Sequence, residues 1–254
     1  MNDLISTDKL YQNPNNDEFV GIFAKYRKML DYTYYTNYNL QRQDKQDQII
    51  SKYLGNGPEK YVNQPQLIFT CGCFGAGKSH CVKYLHSINK LNLDRYIYID
   101  PDRIKYQLPE ASNYIIKDPL NSGSLLHTES MYISLLMQYI CFDRSYQMII
   151  DGSMRECDWF VGYIKWINIT YPIYKIGIIQ VKANLDLILD RCQRRGKSTG
   201  RIISPELINK IYPMIQPSFD KLKTKVDFHM IIENNQAIDI KEENDHPVVR
   251  LEQN

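Results

Sequence analysis

A single octapeptide constrains the fold of this chain more than any other part of its sequence. Residues 72–79 read Gly-Cys-Phe-Gly-Ala-Gly-Lys-Ser and match the pattern G-x-x-x-x-G-K-[ST] at every fixed position. The apolar segment 66–71 precedes this motif, and a helical pattern over 78–89 follows it. A glycine-rich loop between a strand and a helix is the setting in which backbone N–H groups enclose phosphates. The sequence therefore predicts a nucleotide-binding P-loop.

The apolar segments beyond the P-loop predict an α/β fold. Short apolar segments indicate strands, and helical periodicity separates them. The predicted strands are 66–71, 96–100, 148–151, 174–181 and 228–232. The predicted helices between them are 78–89, 123–142, 158–169, 185–195 and 205–223. This alternation indicates a parallel five-stranded sheet covered by helices on both faces.

Two further regions flank this predicted core. Residues 1–60 show helical periodicity over 17–30 and 40–54, which predicts an N-terminal helical extension. Residues 61–233 then form the P-loop domain, and residues 234–254 form a polar C-terminal tail that we expect to fray.

Charge and hydropathy exclude several classes of function. The formal net charge is only +2, so nucleic acid is not expected as the main ligand. No apolar run reaches eighteen residues and the first residues lack a signal-peptide pattern, so we expect no membrane contact and a cytoplasmic location. Six cysteines in 254 residues do not predict a disulfide framework. Cys71 and Cys73, beside and within the P-loop, are expected to pack as small apolar side chains.

The P-loop residues have predicted tasks toward a nucleotide. Lys78 would bridge the β- and γ-phosphates, and the Ser79 hydroxyl would hold Mg²⁺. ATP and Mg²⁺ are therefore the expected ligands. The residues of this segment predicted to contact ATP are Gly72, Gly75, Ala76, Gly77, Lys78, Ser79 and His80.

Two acids, Asp100 and Asp102, follow the second predicted strand. In a kinase, one acid can assist the Mg²⁺ site while the other accepts the proton of the attacking hydroxyl. Asp102 could instead cap the helix that follows, and both interpretations stay open at this point. Arg103 and Lys105 could bind an anionic substrate or lie on a solvated face. We count Asp100, Arg103 and Lys105 as candidate substrate-binding residues.

Asp151 ends the third predicted strand. An acid at this position usually lies near the Mg²⁺ ion of P-loop enzymes. Ser153 and Arg155 follow on the same loop and are predicted to face the active cleft. Ser79 and Asp151 are therefore the predicted metal-binding residues.

A run of cations follows the fourth predicted strand. These cations are Arg191, Arg194, Arg195, Lys197 and Arg201. We interpret the run as a lid that closes on a triphosphate, with arginine neutralising charge on the transferred phosphoryl group. One or two of the cations could instead complement the dipole of a helix C-terminus.

Taken in order, these motifs resemble the zeta toxin family of P-loop kinases. The resemblance covers about residues 66–215, through CFGAGKS, IDPDRIK, HTES, IIDGSMR, DRCQRR and GRIISPE. It implies a P-loop kinase core that transfers phosphate from ATP to an alcohol group of a small molecule.

The resemblance also implies roles for individual residues. Asp102 would be the catalytic base, with Lys78 and Arg191 as further catalytic residues, and Arg191 and Arg201 would contact ATP. The residues implied on the substrate side are Glu129, Asp151, Ser153 and Arg155.

In bacterial toxin members of the family the acceptor is the amino-sugar hydroxyl of UDP-N-acetylglucosamine, so a nucleotide sugar is the implied acceptor. This chain has Ser79 where many members have threonine, and Asp151 where many have glutamate. The shorter carboxylate would alter the sugar pocket. A single chain does not identify an antitoxin-like partner.

Two alternatives remain open. A nucleoside or polynucleotide 5′-kinase has a similar core and differs in its acceptor. A non-catalytic module that senses nucleotides would bind ATP without transferring phosphate, and could use the N-terminal helices as its partner surface.

Overall fold

The structure is a computed structural model that describes residues 4–13, 18–55, 57–58, 63–200 and 202–235, and the backbone of 248–253. Its helices are α1 Thr7–Leu10, α2 Ala24–Arg27, α3 Leu40–Leu54, α4 Lys78–Ser87, α5 Pro101–Lys105, α6 Ala111–Lys117, α7 Ser122–Leu125, α8 His127–Asp143, α9 Cys157–Thr170, α10 Leu185–Thr199 and α11 Pro205–Leu222. Its strands are β1 Gln66–Cys71, β2 Ile97–Ile99, β3 Met148–Ile150, β4 Lys175–Lys182, β5 Phe228–Glu233 and β6 Val248–Gln253.

The chain forms two compact units. The first unit takes the described residues of Met1–Gly57 and Ile99–Arg144. The second takes the described residues of Pro58–Tyr98 and Ser145–Asn254. The N-terminal helices therefore belong to one unit with a later part of the chain, which includes α5 and α8.

The second unit is built on the sheet, whose strand order is β2-β3-β1-β4-β5-β6. β1 pairs in parallel with β3 and β4, and β4 pairs in parallel with β5. The predicted α/β fold with five parallel strands is confirmed. Leu67 on β1 and Ile176 on β4 are fully buried, as expected where helices cover both faces of a sheet.

A sixth strand departs from the sequence prediction. β6 pairs antiparallel with β5, from Phe228 opposite Gln253 to Glu233 opposite Val248. The expected fraying of the polar tail therefore does not extend to residues 248–253. An antiparallel strand at the edge covers hydrogen-bonding groups of β5 that would otherwise stay open.

The first unit packs around α8. Helices α1, α2, α3, α5 and α7 all contact α8, and its Ile133, Leu136 and Ile140 are fully buried. The helix predicted over 40–54 is confirmed as α3, and its N-cap Asn39 accepts a hydrogen bond from Arg42 N at 2.9 Å.

The helix predicted over 17–30 is wrong for most of its length, because α2 is the only helix among the described residues 18–30. Gly21 adopts a φ of +81°, and a Cβ on it would lie 2.1 Å from Asp47 Oδ2. Asp47 Oδ2 in turn accepts the N–H of Phe23 at 3.3 Å. A left-handed glycine and a side-chain acceptor thus replace the first helical turn.

Helix α10 is longer than predicted. It continues through Lys197 to Thr199 and ends at Gly200, whose φ of +73° is typical of a helix C-terminus. Lys197, Ser198 and Thr199 of the predicted lid loop are therefore helical. Among the residues that the structure describes, no helix combines the length and apolar character needed to cross a membrane.

Candidate active site

The P-loop lies between β1 and α4 in the second unit, as the motif predicts. Gly77 is the N-cap of α4 and has a φ of +89°. A Cβ at Gly77 would lie 2.2 Å from Asn234 Nδ2, and a Cβ at Gly72 would lie 2.6 Å from the carbonyl oxygen of Val181. These two positions therefore require glycine for backbone conformation or for close approach. The loop can turn its N–H groups toward an anion at the start of α4.

The ammonium group of Lys78 is hydrogen-bonded to backbone carbonyl oxygens of this loop. Its Nζ donates to the carbonyl oxygens of Gly72 at 3.1 Å and Cys73 at 3.2 Å. His80, the third residue of α4, is exposed. The ammonium group is thus positioned at the loop, where a bound phosphate can replace its carbonyl partners.

Ser79 is bonded directly to Asp151. The Ser79 Oγ donates to Asp151 Oδ2 at 2.9 Å. The structure therefore brings together the two residues that the sequence predicts for Mg²⁺. Hydroxyl and carboxylate oxygens are ligands that Mg²⁺ prefers, and Mg²⁺ usually takes only one or two protein carboxylates beside phosphates and water.

The described residues hold no group of three or more His, Cys, Asp or Glu side chains suited to a metal. A cage built by the protein alone is therefore absent from the described part of the chain. The Ser79–Asp151 pair fits Mg²⁺ because a nucleotide and water would supply the remaining oxygens.

Two further hydroxyls, which sequence analysis missed, bind Asp151. Thr70 Oγ1 donates to Oδ1 at 2.7 Å, and Tyr98 OH donates to Oδ2 at 2.7 Å. Thr70 Oγ1 also accepts the N–H of Gly152 at 3.0 Å. Thr70 and Tyr98 lie near the carboxyl ends of β1 and β2, so the rule that polar groups at strand ends form sites could have found them.

The loop after Asp151 is tied to the P-loop by its backbone. The carbonyl oxygen of Ser153 accepts the N–H of Gly72 at 3.4 Å, and the hydroxyl of Ser153 accepts the N–H of Arg155 at 3.4 Å. The Arg155 side chain pairs with Glu156 at 3.1 Å, near the surface. Ser153 and Arg155 thus lie in the same unit as the P-loop.

Arg191 of α10 bonds to a residue that sequence analysis did not single out. Its Nη1 donates to the carbonyl oxygen of Asn234 at 3.1 Å, and burial lowers the pKa of its guanidinium. Asn234 Nδ2 donates to the carbonyl oxygen of Ala76 at 2.9 Å, and Asn234 N donates to Lys182 O at 2.8 Å. Asn234, directly after β5, therefore connects the P-loop to α10. Arg201 lies outside the described residues.

The cysteines near the P-loop are packing residues, as expected. Cys71, Cys73 and Cys81 are free and buried. Burial raises the pKa of the Cys71 and Cys81 thiols to about 12, so both stay protonated at neutral pH.

The first unit carries the predicted acids at the start of α5. Asp100 is the N-cap, and its Oδ1 accepts the N–H groups of Asp102 at 2.9 Å and Arg103 at 3.2 Å. The capping alternative therefore applies to Asp100 and not to Asp102. Asp102 keeps a side chain that is 36% exposed.

Asp102 is paired with Lys105. Lys105 Nζ lies 3.0 Å from Asp102 Oδ1, and the Lys105 side chain is only 8% exposed. A nearby ammonium group favours the ionised form of a carboxylate. Lys105 thus contacts the predicted base, whereas the side chain of the neighbouring Arg103 is exposed.

Glu129 is enclosed within the first unit. It is fully buried, and Arg42 donates to both of its oxygens, from Nε at 2.7 Å and from Nη2 at 2.8 Å. Gln46 Nε2 donates to Oε1 at 2.9 Å. Arg42 was not predicted, and no local motif in 40–54 marks it. A ligand would have to displace α3 side chains to reach this carboxylate.

Arg42 also binds Glu110. Its Nη1 and Nη2 donate to the two oxygens of Glu110 at 3.0 and 2.8 Å, and its guanidinium lies 4.0 Å from the centre of the Tyr11 ring. Tyr11 OH donates to Glu110 as well. Burial alone would raise the pKa of Glu110, but hydrogen bonds from Arg42 and Tyr11 outweigh it and hold the pKa below its ordinary value.

The sequence was compared with models of known protein families and with curated proteins. A family model described as Zeta toxin matches residues 52–245, which is more than half of the 254 residues. No curated protein matches the sequence.

Solved structures share the fold at low sequence identity. A structure of the PezAT chromosomal toxin-antitoxin system of Streptococcus pneumoniae is 14% identical, with a TM-score of 0.65 over 79% of this chain and 81% of that chain. AvrRxo1-ORF1:AvrRxo1-ORF2 with sulphate ions is 13% identical, with a TM-score of 0.67 over 99% of this chain and 80% of that chain. The same complex with ATP gives a TM-score of 0.64 at 13% identity, over 97% and 76%.

Proposed function

The chain belongs to the zeta toxin family, with the fold of a P-loop kinase, and from that premise we propose that it transfers the γ-phosphoryl group of ATP to a hydroxyl of a small molecule. The observation that carries the proposal is the Ser79–Asp151 hydrogen bond of 2.9 Å beside Lys78. These are the groups through which P-loop enzymes hold a metal–triphosphate. A structural neighbour of this chain was solved with ATP, which supports ATP as the donor.

In this proposal the second unit binds the donor. Backbone N–H groups of the P-loop bind the β-phosphate, and Lys78 exchanges its carbonyl partners for phosphate oxygens. Arg191 neutralises charge that develops on the transferred group. Ser79 and Asp151 would hold Mg²⁺, which supplies positive charge to the phosphate oxygens when it is bound.

Asp102 acts as the general base of the first unit. Its carboxylate takes the proton of the acceptor hydroxyl while the hydroxyl oxygen forms a bond to the γ-phosphorus. The bond between that phosphorus and the β–γ bridging oxygen breaks, and ADP leaves with the electron pair. The Lys105 ammonium, 3.0 Å away, orients the Asp102 carboxylate before the reaction.

For the acceptor we propose a UDP-N-acetyl amino sugar, by family membership. Two features of this chain bear on that choice. Asp151 is a shorter acid than the glutamate of many members, and the Glu129 carboxylate already accepts hydrogen bonds from Arg42 and Gln46. The acceptor contacts are therefore expected to differ in detail from those of bacterial toxin members.

One experiment separates this function from its alternatives. The protein is incubated with labelled ATP and either UDP-N-acetylglucosamine or 5′-hydroxyl oligonucleotides, and products are analysed by mass spectrometry. We expect a sugar nucleotide that gains one phosphate. Transfer to oligonucleotides alone would indicate a polynucleotide 5′-kinase.

The control is Asp102→Asn, which keeps the size of the side chain but removes the base. It should bind ATP with unchanged affinity and lose about 10²- to 10⁴-fold in transfer rate. ATP binding without transfer to any acceptor, by both proteins, would support a nucleotide-sensing module instead.

A further inference from the structure

The first unit contains an open pocket, and of its lining residues only Arg103 has a task assigned above. Its volume is about 410 Å³. The lining residues come from the last turn of α3 and from α5 with the two residues after it: Lys52, Tyr53, Arg103, Tyr106 and Gln107.

The pocket carries two cations that lack a carboxylate partner among the described residues. The Arg103 guanidinium forms no ion pair with any residue that the structure describes, and Lys52 Nζ bonds to a neutral oxygen, Gln107 Oε1, at 3.0 Å. Of the two acids next to Arg103 in the chain, Asp100 is largely buried and caps α5, and the Asp102 carboxylate pairs with Lys105. Two such charges in one concave surface favour an anion.

Two tyrosines complete the lining. Tyr106 is 43% exposed, and Tyr53 is more buried. Burial raises the pKa of Tyr53 to about 12, so its hydroxyl keeps its proton at neutral pH and can donate a hydrogen bond. Aromatic side chains beside an arginine are a surface on which a planar ring can stack.

We propose that this pocket binds an aromatic anion, a planar ring that carries a phosphate or a carboxylate. Arg103 and Lys52 bind the anionic group, while Tyr53 and Tyr106 contact the ring. Arg103 directly follows Asp102, so the pocket starts one residue from the predicted base. The ligand is therefore an acceptor or part of one, and this last step rests on the proposed function.

The pocket also differs from the acceptor contact that the family resemblance implies. That contact, Glu129, is fully buried and bonded to Arg42 and Gln46. The pocket described here is open and draws two of its five lining residues, Lys52 and Tyr53, from the N-terminal helix α3. It assigns a small-molecule-binding task to part of the region that the sequence predicts as an N-terminal helical extension.

The test is a site-resolved NMR titration of the full chain with phenyl phosphate, benzoate, inorganic phosphate and benzyl alcohol. Phenyl phosphate and benzoate should shift the amide signals of residues 52–53 and 103–107, and their relative affinities identify the preferred anion. Inorganic phosphate should bind more weakly there, because it lacks the ring, and benzyl alcohol should cause no shift.

Three variants make the test specific. Arg103→Met and Lys52→Met should each weaken binding of the preferred aromatic anion by about ten- to hundredfold, the usual loss for a hydrogen bond to a charged group. Lys45→Met is the matched control, because Lys45 is exposed on the same helix and its Nζ also bonds to a glutamine oxygen, Gln48 Oε1, at 3.4 Å. It should leave the affinity unchanged.

The outcomes distinguish this proposal from the proposed function. Shifts confined to residues 72–80 would mean that the anions bind only the P-loop, and would overturn the pocket. Equal losses of anion affinity in Lys45→Met and Lys52→Met would indicate non-specific electrostatic attraction, and would also overturn the proposed pocket. If the anions bind at the pocket but the protein transfers no phosphate, the proposed pocket stands and the proposed kinase activity is wrong.

Discussion

Two carboxylates predicted for the active site, Asp151 in the second unit and Glu129 in the first, are held in opposite ways. Asp151 accepts hydrogen bonds from three neutral hydroxyls and forms no ion pair with a described cation. Glu129 is buried against the guanidinium of Arg42. Hydroxyl donors leave the charge of a carboxylate in place, whereas a guanidinium cancels it. Of the two, Asp151 therefore offers the uncompensated negative charge that a divalent cation requires.

The comparison also separates two ways to stabilise a site. The hydroxyl cluster around Asp151 contributes modestly to folding, because neutral hydrogen bonds replace bonds to water. The Arg42 cluster joins three charges, of which Arg42 and Glu129 are buried, and removal of either buried partner leaves an uncompensated charge inside the protein. We expect substitutions in the Asp151 cluster to affect function first, and those in the Arg42 cluster to affect folding first.

The largest expected effect comes from Arg42→Met. Loss of the guanidinium leaves Glu110 and Glu129 without their cation, so the free energy of unfolding should fall by about 3–5 kcal/mol in a urea titration followed by circular dichroism.

Its control is Lys25→Met, which removes the exposed pair between Lys25 and Asp143 in the same unit. That change should leave the free energy of unfolding nearly unchanged, because both partners of the pair are well exposed. Similar losses in both variants would contradict the distinction between the buried cluster and the surface pair. Arg42→Lys retains the charge but not the bidentate hydrogen bonding. Its loss in the free energy of unfolding should lie between those of Arg42→Met and Lys25→Met.

The next effect in size concerns Asp151→Asn. Without the negative charge, the Mg²⁺ concentration that supports half-maximal ATP binding should rise by about 10- to 100-fold, measured by calorimetry. Stability should change little, because an asparagine oxygen still accepts hydroxyl donors. A loss of stability with unaltered Mg²⁺ dependence would assign Asp151 the structural role that we give to Glu129.

A smaller effect is expected from Tyr98→Phe. This variant removes one of the three hydroxyl donors to Asp151 and should cost about 1 kcal/mol in the free energy of unfolding. Mg²⁺-dependent ATP binding should persist, since Ser79 remains in place. A complete loss of Mg²⁺ dependence would show that the tyrosine positions Asp151 for the metal.

The smallest effect is a pH dependence in the first unit. Because the folded protein holds the pKa of Glu110 below its ordinary value of about 4.3, the ionised group stabilises the fold above that pH. This stabilisation is lost as the pH falls through the lowered pKa. In Glu110→Gln the free energy of unfolding should fall less steeply below pH 4.3 than in the wild type, whereas Glu156→Gln, at an exposed position, should keep the wild-type slope.

The sequence predicted the sheet and the P-loop because their signals are local. Apolar runs mark β1, β3, β4 and β5, and the motif at 72–79 contains its own glycines, lysine and hydroxyl. The antiparallel strand β6 was missed because six mixed residues in a polar tail resemble a strand only when β5 is available to pair with them.

The residues that complete the two sites were missed for a related reason. Arg42 and Glu129 are 87 residues apart in the chain, and Asn234 and Ala76 are 158 residues apart. No spacing rule connects positions at such separations, and nothing in the helical pattern of 40–54 distinguishes Arg42 from its polar neighbours. Asn234, like Thr70 and Tyr98, carried a usable signal, since it lies close to the carboxyl end of a predicted strand.

The contacts of Asn234 have a practical consequence for spectroscopy. Its side-chain NH₂ group bonds to the P-loop at Ala76 O, and its backbone carbonyl oxygen accepts a hydrogen bond from the guanidinium of Arg191. The NH₂ signals of asparagine appear in a separate region of an amide spectrum, away from most backbone signals. Nucleotide entry into the loop would therefore alter this pair of cross-peaks, while movement of α10 would act on the backbone of the same residue. The protein carries its own reporter for these two events, and no attached label is needed to follow them.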